Sequence, residues 1–99
     1  MSYKPVVDPE LAPILDELKI KDPQAYSKLK KKIYQVAALL GDNPNHCKNL
    51  RKPLNKYKRV HVNDSFVFIF DVDKTKELMI IRDYDHHDNI YKKKKWQKK

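Results

Sequence analysis

The sequence predicts an α+β domain of order β-α-α-β-β-β, a helical hairpin packed on a small antiparallel sheet. Three observations carry this expectation. Two Asp-Pro pairs, Asp8-Pro9 and Asp22-Pro23, each precede apolar residues at helical spacing. Three later runs, rich in β-branched and aromatic residues, are separated only by "NDS" and "DKT". A chain of 99 residues has enough apolar material for one modest core and not for two.

Residues 2–7, SYKPVV, read as a short strand, and Pro5, with no N–H to give a ladder, places it at a sheet edge. Asp8 is the expected N-cap of the first helix, with Pro9 at its first position. Leu11, Ile14, Leu15 and Leu18 form its apolar side. Asp22-Pro23 repeats the signal. Tyr26, Leu29, Ile33, Val36 and Leu40 then make one stripe, and Gly41, the sole glycine, is expected to end the second helix. Helices joined by so short a turn form an antiparallel hairpin.

Residues 56–62, 66–72 and 77–83 are the expected strands of a meander. Phe66, Phe68 and Phe70 share one face of the middle strand and Val67 and Ile69 the other, so this strand is apolar on both sides. In the strand before it, alternation turns Lys58, Val60 and Val62 toward the helices and Tyr57, Arg59 and His61 away from them. An aromatic ring, a guanidinium and an imidazole projecting together suit an RNA-facing surface, with stacking from Tyr57 and phosphate contact from Arg59. Residues 1–91 are read as one domain and residues 92–99 as a basic tail, expected to be disordered.

The net charge is +9, of which the tail KKKKWQKK supplies six lysines, leaving 9 − 6 = +3 for residues 1–91. From Pro23 to Val62 there are ten Lys or Arg residues against one acid, Asp42. A basic middle and tail point to a polyanionic partner, either nucleic acid or an acidic protein segment. The single cysteine, Cys47, excludes an intrachain disulfide and fits a reducing cytoplasm. The longest apolar runs, VAALL and FVFIF, are too short to cross a bilayer, and no signal-peptide pattern opens the chain, so no membrane partner is expected.

The order of elements, together with KPLNKYKRVHVNDSFVFIFDV and the HHDNIY ending, resembles the RelE/ParE toxin superfamily. The nearer likeness is to its YafQ-type branch, with a strand Y-x-x-x-H, an apolar strand and a closing T-H-x-D-[LI]-[FY]. These correspond here to Tyr57 and His61, then FVFIF, then His87-Asp88-Asn89-Ile90-Tyr91. The resemblance implies a small toxin of a toxin–antitoxin system, neutralised by an antitoxin through an acidic segment. It also implies a ribosome-associated mRNA endonuclease, and possible assembly into a toxin–antitoxin hetero-oligomer. Two alternatives stay open: a member with degraded chemistry that still binds RNA, ribosome or antitoxin, and a ParE-type gyrase inhibitor. The chain departs from the family at named positions. Arginines of many RelE relatives fall on Val67 and His87, and the aspartate of the YafQ-like branch falls on Ser65, beside Asp64. That branch's further histidine has no clean match, since Lys52 lies nearer the expected place and His46 too early.

Metal-independent RNA cleavage needs a base for the 2′-hydroxyl, a cation for the phosphorane and an acid for the 5′-oxygen. Imidazole suits the first and last, since its ordinary pKa of about 6.5 allows either form near neutrality. Preorganised lysine or arginine suits the second. His61 and His87 are therefore the proton-transfer candidates. Arg82, Arg59, Lys52, Lys56 and Lys58 are candidates for phosphate, Tyr91 for stacking or orienting, and Asp88 for capping or orienting. No metal or cofactor is expected. In an extended segment Asp85 and His87 point one way and His86 and Asp88 the other, and neither HExxH nor paired CxxC is present. His86, His46 and Cys47 are read as incidental.

Overall fold

The computed structural model describes residues 3–43, 57–90 and 92–93. Its elements are β1 (Lys4–Val7), α1 (Ala12–Lys21), α2 (Pro23–Asp42), β2 (Tyr57–His61), β3 (Phe66–Asp73), β4 (Leu78–His86) and α3 (His87–Ile90). The sheet order is β1-β4-β3-β2. The meander β2-β3-β4 is antiparallel, as the short turns require, and β1 joins it in parallel along the outer side of β4. Pro5 accordingly lies in an edge strand.

The α1–α2 hairpin covers one face of this sheet. Leu15 of α1 and Leu29, Ile33, Val36, Ala37 and Leu40 of α2 pack on Phe68, Phe70, Met79 and Ile81. Each large side chain buried here contributes roughly 1.5–3 kcal/mol relative to an exposed one. Val60 and Val62 pack against the same cluster, while Val67, Ile69 and Ile90 form a second, smaller one with Tyr57 at its margin. The face-by-face division read from alternation thus holds along β2 and β3.

Two helix boundaries differ from expectation. Asp8 still organises the entry to α1, but around a turn. Its Oδ1 accepts the Glu10 N–H at 2.9 Å, and its carbonyl accepts the N–H groups of Leu11 and Ala12. The helix therefore starts at Ala12, with Pro13 in its first turn. Asp22 caps α2 as predicted, accepting the Ala25 N–H at 3.1 Å. Gly41, however, continues the helix; Asp42 ends it, Asn43 is the C-cap, and no glycine has a positive φ among the described residues.

β4 is longer than the apolar run that signalled it. It pairs with β1 only over Leu78–Ile81, so its half from Arg82 to His86 has no second neighbouring strand among the described residues. Side chains satisfy this open half instead. The Tyr84 N–H donates to Asp83 Oδ1 at 2.9 Å and the His86 N–H to Asp85 Oδ1 at 2.7 Å. Lys93 then bridges the two carboxylates, at 2.9 Å from Asp83 and 3.2 Å from Asp85. Charges placed in this way blunt an edge that would otherwise be a template for another strand. No helix among the described residues is long and apolar enough to cross a membrane.

Candidate functional site

The chain changes geometry between His86 and His87. β4 ends at the first histidine and α3 begins at the second. The His87 N–H reaches across to the Ser65 carbonyl at 2.8 Å, and the Asp88 N–H donates to His86 Nδ1 at 3.1 Å. One turn later Ile90, fully buried, sits on Val67 and Ile69 and holds the helix against the face away from α1 and α2. This switch overturns the strand-like alternation expected for residues 85–88. His86 and His87 lie side by side, their rings stacked at 4.7 Å between centroids and 28° between planes. Asp88 joins both: Oδ1 lies 3.0 Å from His87 Nδ1 and Oδ2 lies 3.6 Å from His86 Nδ1. His86 is seated edge-on to Phe66 at 5.5 Å, and Phe66 stacks on Tyr84. His86, read as incidental, is thus the ring on which His87 rests, and Asp88 is positioned to orient the His87 imidazole.

His61 closes β2 opposite Val67, one position along β3 from the Phe66–His86 pair. His61 and His87 therefore belong to the same end of the sheet. The turn between β2 and β3 links them. Asn63 Oδ1 accepts the N–H groups of Ser65 and Phe66 at 2.8 and 2.9 Å, fixing the loop whose Ser65 carbonyl receives His87. His61 and Arg59 are exposed on the α3 side of the sheet, and Tyr57 is half-buried against α3's apolar cluster. The His87 side chain meets His86 and Asp88.

Two expected phosphate ligands are placed elsewhere. Lys58 is buried on the helix side of the sheet, only 5% exposed, which removes it from the surface of Arg59 and His61. Arg82 sits at the β-bulge opposite Ile69/Phe70, and its guanidinium is committed to carboxylates. Nε and Nη2 reach Asp71 at 2.8 and 3.3 Å, and Nη1 reaches Asp8 at 2.9 Å. The Asp71 hydrogen bond above all, with help from Asp8 and against partial burial, raises its already high pKa. Arg82 therefore ties β4 to β3 and to the β1–α1 junction. Lys52, Lys56 and Tyr91, with His46 and Cys47, lie outside the described residues.

The Lys93 bridge had no counterpart in the sequence reading. Burial works to lower the Lys93 pKa, but hydrogen bonds to Asp83 and Asp85 and their charges outweigh it, so the net direction is upward. Its signal was present: aspartates alternating with Tyr84 and His86 at the end of an apolar strand, just before a lysine run. A cavity of about 310 Å³ adjoins the bridge, between Ile14 and Leu18 of α1 and Phe66 and Tyr84 of the sheet.

No protein-family model matches the chain. A Methanocaldococcus jannaschii protein described as "Putative toxin RelE4" is 45% identical over 93 residues, which span 94% of this chain and 95% of that protein. The chain belongs to the RelE toxin superfamily. Another relative of this RelE chain, an uncharacterized protein of Methanosarcina mazei, is 38% identical over 81 residues, or 79% of the chain and 94% of the relative. The RelE fold is also that of a chain in the crystal structure of the RelBE2 toxin–antitoxin complex from Mycobacterium tuberculosis. That match has a TM-score of 0.68 over 88% of this chain and 100% of the other, at 16% identity, and so speaks to fold alone. Within this RelE chain His87 meets Asp88 at the sheet end that also carries His61.

Proposed function

We propose that this RelE-superfamily chain is the toxin of a toxin–antitoxin pair and cleaves mRNA at the ribosome without a metal, with His87 as its principal proton-transfer group. The observation that carries the reading is the contact of His87 Nδ1 with Asp88 Oδ1 at 3.0 Å; in this reading Nε2 is the nitrogen that meets the substrate. In the reaction a base removes the 2′-hydroxyl proton, the 2′-oxygen attacks phosphorus, and the 5′-oxygen leaves as an acid protonates it. The products are a 2′,3′-cyclic phosphate and a 5′-hydroxyl end. His61 is the second imidazole for this pair of transfers, and Arg59, exposed on the same strand face, supplies charge to the phosphorane. Lys52 and Lys56 are further candidates for phosphate, and Tyr57 and Tyr91 for stacking or orientation.

The sequence motif resembles that of the YafQ-like branch, and the toxin description of the Methanocaldococcus jannaschii relative suits an antitoxin partner. The basic stretch from Pro23 to Val62 suits an acidic antitoxin segment, and a cytoplasmic site of action follows from the same reading. One observation favours a second reading, a binding module that has lost the chemistry. Val67, where many RelE relatives carry an arginine, is fully buried beneath Ile90.

The deciding experiment incubates the purified chain with translating ribosomes and maps mRNA ends. Cleavage is expected, unaffected by chelators. His87→Ala is expected to lower it by roughly a hundredfold while RNA binding stays nearly intact. His86→Ala, which removes the ring under His87, is expected to lower it by less. A wild-type chain that binds ribosomes and cleaves nothing gives the binding-module reading precedence.

A further inference from the structure

We propose that the His86–His87–Asp88 turn binds one divalent transition-metal ion of the zinc class. Each residue offers one ligand atom, and the three atoms lie within 4.8 Å of one another. Zinc holds imidazole nitrogen and carboxylate oxygen at about 2.0–2.2 Å in a tetrahedral arrangement, which places neighbouring ligand atoms roughly 3.3 Å apart. His87 Nδ1 lies 3.0 Å from Asp88 Oδ1 and His86 Nδ1 3.6 Å from Asp88 Oδ2, so the two imidazoles meet different oxygens of one carboxylate, and a shared ligand oxygen also asks the carboxylate to rotate. Binding therefore asks the stacked rings to tilt toward each other and His86 Nδ1 to give up the Asp88 N–H. The backbone of the turn is held independently, by Ser65 on one side and by buried Ile90 on the other.

The surroundings select the kind of ion. Lysines 92–95 follow the turn after three residues, and Asp88 is the only carboxylate in the ligand set. Mg²⁺ and Ca²⁺ depend on several oxygen ligands and carboxylate charge, which this turn does not offer. Zn²⁺, Ni²⁺ and Cu²⁺ gain from imidazole donation itself, so two nitrogens and one oxygen suit them despite the basic neighbourhood. Three protein ligands leave a fourth position for water or a phosphate oxygen. An ion held there occupies His87 and so opposes the proton-transfer role, which makes the site inhibitory if the nuclease reading is correct.

The test titrates Zn²⁺ into the full chain by calorimetry and follows Co²⁺ by its visible absorption. One ion per chain is expected, with tetrahedral Co²⁺ bands and no thiolate charge-transfer band. His86→Ala, His87→Ala and Asp88→Asn are each expected to weaken binding by about tenfold or more. Cys47→Ser and His46→Ala should leave it unchanged. Circular dichroism confirms that each variant is folded. The proposal is overturned by absence of binding, or by turn variants that bind like the parent. A thiolate band, or binding lost with Cys47→Ser, overturns it equally by placing the ion elsewhere. The readout is the metal itself, so the result is separate from whether the chain cleaves RNA.

Discussion

Val67 stands in the central strand where an arginine would serve a RelE-type nuclease, and its surroundings decide what such an arginine would do here. Its side chain is fully buried with Ile69 and Ile90. Installing a guanidinium there would either bury a charge or push α3 off the sheet. Val67→Arg is therefore expected to cost roughly 2–4 kcal/mol in chemical denaturation and to add no cleavage. A stable, more active variant would mean that α3 leaves this face in the working state. The placement of Tyr57, Arg59 and His61 opposite Lys58 was legible from alternation, because β2 keeps one geometry throughout. The pairing of His86 with His87 was not. It depends on a strand giving way to a helix, and that switch rests on Ile90 finding Val67 and Ile69 twenty or so residues back along the chain.

Between elements, the open half of β4 depends on Lys93. Asp83 is 1% exposed, and Lys93 is its charged partner while Asp85 completes the bridge. Lys93→Met leaves a buried carboxylate without that partner and is expected to destabilise by roughly 1–3 kcal/mol, nearer the lower figure because the lysine is itself a third exposed. The pH dependence has a definite sign. The folded pKa of Lys93 is raised, so its contribution is fully present below the ordinary lysine value of about 10.4 and is lost as pH rises through the folded value. Tyr84 acts in the same direction, since burial first, and then the charges of Asp22 and Asp85, raise its pKa. Alkaline denaturation curves should therefore fall less steeply for Lys93→Met than for the parent; parallel curves would mean that the bridge contributes no proton linkage. The helical hairpin and the meander could be read from punctuation and period alone, because those signals are local. The parallel seat of β1 and the Arg82 bridge to Asp8 join residues as far apart as 8 and 82, and no local pattern encodes such a separation.

At the scale of the whole molecule, charge and shape divide the work. The apolar stripe of α2 faces the sheet, while Lys28, Lys30 and Lys31 are exposed on its other side. The tail adds further lysines beyond Lys93. If RNA phosphates are tracked by this basic surface, affinity falls with salt because binding releases counterions, with a slope near 0.7 per phosphate contact for a single strand. Removing residues 94–99 deletes four lysines while keeping the Lys93 bridge and the fold it supports. The plot of log affinity against log salt should then become shallower by up to about 3 units, which is four contacts at that slope. A smaller change counts the tail lysines that reach phosphate. An unchanged slope would assign the tail no role on RNA and leave the interaction to the folded body, where Arg59 and the lysines of α2 are the groups to substitute next.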